Sequence, residues 1–385
     1  MTSYFTHLEC WECSRIFAAR NLNTFCPDCN APLFASYGLC HLSQAITPQE
    51  ISSRPRGIWR WEELLPVLQP VSQLSLGEGD TPMVHLKNIG HQLGVDQVFV
   101  KDESRNASAS FKARGLCVAV SKARELGIRV IGLPTAGNAG GALAAYATHA
   151  GLEAHVFMPK QSPQANRSEV IDFGAHLHLV DGDIHQAGKL CQSECNQNGW
   201  FNLATFREPY RVEGKKTLGF EITEFFDWQL PDWIIYPTGG GTGIVGMYKA
   251  FLELREMGWI LDRFPRFAAV QSTGCAPLVK AFRENNVQVD DWQSPSTIAT
   301  GLNIPSMFAG KAVLKILRQN QGLALSVSEN EIVKAQDEFN RKEGILASPE
   351  GAATLAGFAK LLKKGMIKHS QRVVLFNTAS GLKYL

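Results

Sequence analysis

A glycine-rich segment, "TGGGTG" at 238–243, follows the apolar run "DWIIYP" and precedes a stretch with helical periodicity. Backbone N–H groups at such a strand-to-helix turn converge on a phosphate, helped by the helix dipole, and glycine permits its close approach. Gly241, Gly243 and Gly246 also satisfy the GxGxxG spacing of dinucleotide sites. However, the next apolar run ends in Gln271 rather than Asp or Glu, and no P-loop lysine follows. The segment therefore predicts a phosphate-binding cup and not an NAD or ATP site; a tight structural turn is the alternative.

One lysine lies in the segment "NASASFKARG" at 106–115. Lys112 falls in the first turn of a predicted helix, where the helix dipole disfavours a cation. A lysine held there out of bulk water has a lowered pKa, which favours Schiff-base chemistry. Taken alone, the segment is still better explained by a solvated lysine.

Two further loops end predicted strands and carry polar groups. In "PTAGNAGGALAAY", residues 135–141 offer backbone N–H groups to a carboxylate, and the amide of Asn138 donates or accepts. In "NTASGLKYL", Thr378 lies where a strand reaches the ligand-binding edge of an open α/β sheet, so its hydroxyl is available to a ring nitrogen. Helix capping and strand capping are the respective alternatives.

Four of the nine cysteines form a C-x2-C-x12-C-x2-C pattern near the N-terminus. Four thiolates at such a spacing suit tetrahedral zinc, and the ligands predicted are Cys10, Cys13, Cys26 and Cys29. A redox dithiol and a metal-free ribbon are the alternatives. The other cysteines are scattered, apart from two that lie four residues apart on a predicted helix.

From residue 96 onward, apolar strands alternate with helices, which predicts an α/β chain with open, mostly parallel sheets covered by helices. The length of 385 residues favours two such domains. A net charge of +2 gives no reason to expect nucleic-acid or membrane-surface binding. We expect a cytoplasmic protein because there is no signal-peptide pattern and no apolar run of about 18 residues.

Five segments in order, "SFKARG", "AGNAGGALAAYA", "EPYRVEGKKT", "YPTGGGTGIVGMYKAF" and "NTASGLKY", resemble the fold-type II pyridoxal-phosphate enzymes, the tryptophan synthase β-like group. Within that group the chain is similar to the threonine synthases, some of which carry an N-terminal ribbon. The resemblance implies two twisted parallel sheets in a chain of three segments. These are a four-cysteine, zinc-ribbon-like segment at 1–45, a large cofactor-binding domain at 46–117 and 211–385, and a smaller mobile domain at 118–210.

The resemblance also assigns roles around pyridoxal phosphate. Lys112 holds the cofactor as a Schiff base and moves protons, Phe111 flanks it, Asn138 contacts its phenolic oxygen, and Thr378 contacts the pyridine nitrogen. The cofactor phosphate is assigned to Gly239, Gly240, Gly241, Thr242 and Gly243. The substrate is assigned to Ser108, Ser110, Thr135, Ala136, Gly137 and Arg211.

The implied reaction is that of a lyase, which converts O-phosphohomoserine and water to threonine and phosphate by γ-elimination and β-addition. Arg211 matches the arginine that binds the substrate phosphate, as suits a bidentate guanidinium. Lys215 and Lys216 are weaker candidates, with solvated charges at a helix start as the alternative. The resemblance also favours a homodimer.

The segment before Lys112 departs from the family pattern N-P-T-G-S-F-K. Ala107 replaces proline, which frees φ, and Ala109 replaces glycine, which disfavours a positive φ. Ala379 and Ser380 also depart from the usual tail. These changes leave open β-replacement on a phosphorylated amino acid, as in cysteate synthase, a dehydratase, and a non-catalytic cofactor-binding scaffold.

Overall fold

A computed structural model describes residues 3–385. Its strands are β1 Phe5–Cys10, β2 Ile16–Ala18, β3 Leu33–Tyr37, β4 Met83–His85, β5 Val98–Asp102, β6 Val130–Pro134, β7 Glu153–Pro159, β8 His176–Val180, β9 Phe201–Asn202, β10 Trp233–Pro237, β11 Arg266–Ser272, β12 Leu323–Val327 and β13 Val373–Asn377. Its α-helices are α1 Leu39–Ala45, α2 Pro48–Ser52, α3 Lys87–Leu93, α4 Lys112–Glu125, α5 Ala139–Ala150, α6 Gln164–Asp172, α7 Ile184–Asn198, α8 Tyr210–Phe225, α9 Thr242–Glu256, α10 Pro277–Arg283, α11 Gly310–Gln319, α12 Glu329–Glu338 and α13 Pro349–Lys363.

The larger sheet has six strands in the order β12-β11-β10-β13-β5-β4. All neighbouring pairs are parallel except β4 and β5, so the antiparallel strand lies at one edge. Every residue of β10 and of β13 is buried. Strands covered on both faces need continuous apolar runs, which explains why "WIIYP" and "VVLFN" do not alternate with polar residues.

The smaller sheet has four parallel strands in the order β8-β7-β6-β9. Its strands alternate along the chain with α5, α6 and α7. The predicted α/β architecture with two mostly parallel sheets is therefore confirmed. The predicted domain limits and the mobility of the smaller domain stay predictions.

The N-terminal strands form a separate three-stranded antiparallel sheet, in which β1 pairs with both β2 and β3. Its inner residues join the main core cluster, as Leu8 and Leu33 illustrate with 0% and 1% exposure. The predicted ribbon-like segment is thus a small sheet packed on the body of the protein.

Helices α4 and α8 cross closely because glycines lie at their contact. A Cβ on Gly115 would lie 2.7 Å from the carbonyl oxygen of Arg211, and a Cβ on Gly214 would overlap the backbone of Arg114. This close approach brings the first turn of α4, with Lys112, beside the first turn of α8. Within the described range, none of the helices combines the length and apolar character needed to cross a membrane.

Candidate active site

A cavity of about 600 Å³ opens where strands of both sheets end. It is lined by Thr378 after β13, Gly239 after β10 and Thr135 after β6. Ligands of open α/β sheets bind at this carboxyl edge, where successive strand-to-helix turns converge. Separate parts of the chain therefore contribute to a single cavity.

Lys112 is the first residue of α4 and lines this cavity. The residue is half-buried, and its amine lies 4.4 Å from the centre of the Phe111 ring. Burial lowers the pKa of the amine to about 7, the nearby Arg211 guanidinium acts in the same direction, and Glu350 opposes them. The solvated-lysine alternative is therefore wrong, and a large share of the Lys112 amines is neutral at pH 7.

The glycine-rich turn between β10 and α9 lies against the cavity at Gly239–Gly243. Gly241 has φ +84° and is the N-cap of α9, and no side chain of the described residues caps this helix. Side chains would not fit at this turn, because a Cβ on Gly239 would overlap the Gly301 carbonyl oxygen and one on Gly243 would overlap the Tyr236 ring. The helix dipole and the uncapped N–H groups together favour an anion at this turn, as the predicted cup requires.

The loop before α5 brings an amide to the same cavity. The Asn138 Nδ2 donates to the Tyr384 hydroxyl at 3.1 Å, whereas its buried Oδ1 finds no hydrogen-bond partner within residues 3–385. Thr135 is held in the loop because its Oγ1 accepts from the Gly137 N–H at 3.1 Å. A buried acceptor without a partner is costly, so Asn138 is suited to a polar ligand.

The C-terminal segment is tied directly to the lysine segment. The Thr378 carbonyl accepts from the Phe111 N–H at 2.9 Å, and Ser110 and Ala379 form an isolated β-bridge. Thr378 is buried and lines the cavity. These contacts of the C-terminal segment therefore fix the positions of both Thr378 and the first residue of α4.

Arg211 is buried beside Lys112, and its Nη1 donates to the Leu203 carbonyl at 2.6 Å. Lys215 is also buried, 4.0 Å from the Phe111 ring centre, and donates to the Phe111 carbonyl. Lys216 is buried too and pairs with Glu213 and Glu253, each at 2.8 Å. The solvated-charge alternative is therefore wrong for both lysines, and only Arg211 of the three lines the cavity in the described part of the chain.

The segment that departs from the family pattern keeps a left-handed backbone. Ser108 has φ +57° and Ala109 has φ +47°. The replacement of glycine by Ala109 is expected to disfavour a positive φ. The backbone nevertheless adopts one there, at a cost of about 1–2 kcal/mol. The hydroxyls of Ser108 and Ser110 are buried without a partner among the described residues, and neither residue is among those that line the cavity.

Sequence reasoning missed several polar residues of the cavity. Glu350, in the first turn of α13, is buried, and its Oε1 accepts from the Gly301 N–H at 2.7 Å. Its Oε2 lacks a partner within the described range. Arg207 lies between Phe25 of the ribbon and Phe308, 5.0 and 4.4 Å from the two ring centres. In the sequence, the only sign of these two residues is the acid Glu350 in "SPEGAATLAG". That pattern predicts no more than an ordinary helix start.

The four patterned cysteines converge in two matching knuckles. The Sγ distances are 3.3 Å for Cys10–Cys29, 3.7 Å for Cys13–Cys26 and 3.8 Å for Cys13–Cys29. Zinc–sulfur bonds of about 2.3 Å in a tetrahedron place sulfurs about 3.8 Å apart. In each knuckle, the N–H four residues after the first cysteine donates to that cysteine's carbonyl. The arrangement fits one zinc ion.

The family model described as "Pyridoxal-phosphate dependent enzyme" matches residues 74–379. The threonine synthase of Methanocaldococcus jannaschii is 32% identical over 376 residues, covering 97% of this chain and 92% of that protein. The threonine synthase of Halalkalibacterium halodurans is 32% identical over 333 residues, covering 86% of this chain and 90% of that protein.

Solved structures share the fold. Maize serine racemase superposes with a TM-score of 0.67 at 21% identity, covering 78% of this chain and 88% of that one. Diaminopropionate ammonia lyase from Escherichia coli has a TM-score of 0.69 at 19% identity, covering 80% and 85%. At these identities the likeness concerns the architecture alone.

Proposed function

The chain belongs to the pyridoxal-phosphate-dependent enzymes and, within them, to the threonine synthase family, and from this premise we propose that it converts O-phosphohomoserine and water to threonine and phosphate. The observation that carries the proposal is that one cavity holds a lysine of lowered pKa together with two anion sites, the glycine cup and Arg211. Two anion sites suit a reaction in which both cofactor and substrate carry a phosphate.

The cavity fits the cofactor. The cup at Gly239–Gly243 would hold its phosphate, the Nδ2 of Asn138 would donate to its ring oxygen, and Thr378 would face its ring nitrogen. When bound, pyridoxal phosphate supplies the electron sink that stabilises negative charge at substrate carbons. Because Thr378 is uncharged, it would leave the ring nitrogen largely unprotonated.

Lys112 would hold the cofactor through its amine, and once the substrate amine has displaced it, the freed Lys112 amine would move protons. An amine with a pKa of about 7 is divided between its neutral and protonated forms near neutral pH, so it serves both as base and as acid. We assign it the protons at the substrate α and β carbons. The backbone at Thr135–Asn138 would hold the substrate carboxylate and so orient the α proton toward the lysine.

Arg211 would hold the substrate phosphate until it leaves from the γ carbon. A buried guanidinium binds a phosphate with two parallel hydrogen bonds in a low-dielectric site. Lys189 and Arg207 bring two more cations to the cavity lining. This local excess of positive charge favours a phosphorylated substrate over the neutral side chains that a dehydratase uses.

We further propose that the four-cysteine site holds a structural zinc ion and that the enzyme is a homodimer. The zinc proposal is supported by the sulfur spacing and the matched knuckles. The dimer proposal is supported by the resemblance alone. Metal analysis of protein purified under reducing conditions should give one zinc per chain that a Cys26→Ser variant lacks, and a metal-free, fully folded ribbon would contradict the assignment.

Steady-state turnover on a panel of amino acids tests the reaction. We expect phosphate release from O-phosphohomoserine with equal appearance of threonine. Release from O-phosphoserine alone would instead select β-replacement of the cysteate-synthase kind, and ammonia from threonine or serine would select a dehydratase. Bound cofactor with no turnover on any substrate would select the non-catalytic scaffold.

Arg211→Ala tests the phosphate subsite, with Arg263→Ala as a matched control because Arg263 is 82% exposed and pairs only with Asp232 among the described residues. We expect KM for O-phosphohomoserine to rise at least about tenfold in the first variant, as befits a lost charged hydrogen bond. Bound cofactor should be unchanged in both. Equal KM values would remove Arg211 from the site.

A further inference from the structure

A cluster of imidazoles lies on the smaller sheet, at the start of β7 and β8. Glu153 and His155 on β7 share a face because alternate strand residues point the same way, as do His176 and His178 on β8. His155 pairs with His176 in the parallel register. The cavity lies at the opposite, carboxyl edge of the sheet, and its described lining contains none of these four residues.

Three ligand atoms of this cluster meet at bonding distances for a metal. The Oε1 of Glu153 lies 2.9 Å from the Nε2 of His155 and 3.6 Å from the Nε2 of His176. Each of the three residues offers one ligand atom within 4.8 Å of those of the other two. Metal–nitrogen bonds of about 2.0–2.1 Å in a tetrahedron place ligand atoms about 3.4 Å apart, and the two distances from the Glu153 Oε1 lie on either side of this value.

His155 is fixed in orientation by its surroundings. Its ring stacks on Trp200 with a centroid separation of 3.8 Å and an interplanar angle of 14°. Its Nδ1 lies 2.9 Å from the Nε2 of His178, so one ring donates to the other. A hydrogen bond at the second ring nitrogen is the arrangement that orients histidine ligands in metal sites. The Nε2 of His155 is therefore aimed at the Oε1 of Glu153, and the His176 ring stacks on that of His155 with a centroid separation of 4.7 Å.

The two remaining ligands are accessible. The side chains of His176 and Glu153 are 59% and 51% exposed, whereas that of His155 is 10% exposed. An ion can therefore enter from solvent and find one rigid and two adaptable ligands, with a fourth position left for water. Two imidazoles and a carboxylate select Zn²⁺, Ni²⁺ or Cu²⁺ rather than Mg²⁺ or Ca²⁺, which prefer oxygen ligands.

We propose that Glu153, His155 and His176 form a second metal site, which takes a divalent transition-metal ion of the zinc class and cross-links β7 to β8. His178 supports this site as the hydrogen-bond partner of His155. The site is independent of the proposed reaction because it lies at the far edge of the sheet from the cavity. Its chemistry also differs from that of the N-terminal ribbon, which offers only thiolates.

Cobalt titration of the full-length holoenzyme, with the ribbon already loaded with zinc, tests the proposal. We expect one further equivalent of Co²⁺ to bind, giving a visible d–d band without thiolate-to-cobalt charge transfer. Titration with Zn²⁺ should give the same stoichiometry by calorimetry. Binding accompanied by thiolate charge transfer, or no further equivalent, would overturn the proposal.

His176→Ala and Glu153→Gln supply the matched variants, since both side chains are exposed and neither supports the core. Each should weaken the additional equivalent at least about tenfold while the ribbon keeps its zinc. The control is His149→Ala, which removes an exposed histidine of α5 and should leave the titration unchanged. Unaltered binding in His176→Ala, or an equal loss in His149→Ala, would contradict the assignment.

Discussion

Lys112 and Arg114 lie two residues apart on α4, yet within the described chain only Arg114 of the two forms ion pairs with carboxylates. Arg114 is fully buried, and its guanidinium donates to Glu103 at 2.6 Å and to Glu221 at 2.5 Å. Two threonine hydroxyls accept its remaining hydrogen-bonding capacity. Lys112 has no carboxylate partner within bonding distance in the described structure, and it faces the cavity.

The same contrast extends to the neighbours of each residue. The Arg114 cluster is neutral, because Lys101 joins it through Glu221 at 2.6 Å and two cations meet two carboxylates. The cavity is positive, because its described lining holds three cations and a partly protonated lysine against one carboxylate: Lys189, Arg207, Arg211, Lys112 and Glu350. Arg114 is therefore compensated by buried carboxylates, whereas Lys112 lies in a cavity whose cations outnumber its carboxylates.

The largest expected effect is the loss of activity in Lys112→Ala. Turnover should fall at least about 10³-fold because the proposed proton carrier is gone. The free energy of unfolding should not fall, since the substitution breaks no ion pair of the described residues and removes a desolvated amine. Phosphate release and urea denaturation measure the two quantities. If Lys112→Ala keeps more than a tenth of the activity, Lys112 is not the proton carrier.

Arg114→Met should have the converse effect on stability. Removing one partner of a buried ionic cluster leaves Glu103 and Glu221 with uncompensated charge, which costs about 3–5 kcal/mol. Urea denaturation of Arg114→Met beside Lys112→Met measures this difference at matched side-chain length. If both variants have the same free energy of unfolding, the ion pairs of Arg114 do not make it more important for stability than Lys112.

Lys112 should also give stability a characteristic pH dependence in cofactor-free protein. Its folded pKa of about 7 lies below the ordinary value of 10.5, so between these values the unfolded chain binds more protons than the folded one. This residue's contribution therefore rises with pH across that window, by at most about 1.4 kcal/mol per pH unit, and is flat below it. The stability difference from Lys112→Met should follow this course; a constant difference would show an ordinary lysine.

The smallest expected effect concerns Arg207, which aromatic rings hold in place. Phe25→Ala should raise KM for the phosphorylated substrate about two- to fivefold, because one cation–π contact contributes about 0.5–1 kcal/mol. The control is Phe17→Ala, which removes a similar contact to Arg15 elsewhere on the ribbon. If both variants behave alike, the ribbon does not position Arg207 at the cavity.

Features that depend on local spacing could be predicted from the amino-acid sequence. The alternation of apolar strands and helices indicates two parallel sheets, because buried strands and amphipathic helices have different periods. The glycine cup is predictable for a similar reason, since a strand-to-helix turn that presents N–H groups needs residues without side chains. The cysteine spacing likewise predicts the knuckles that the structure brings together.

Only the folded structure shows which distant residues meet and which charged side chains are buried. Glu350 and Arg207 join the cavity from segments with no distinctive local pattern, and Lys216 becomes buried because Glu213 and Glu253 pack around it. The lowered pKa of Lys112 likewise follows from burial and from Arg211 on a different helix. Burial and long-range electrostatics depend on the packing of whole elements, so spacing along the chain does not contain them.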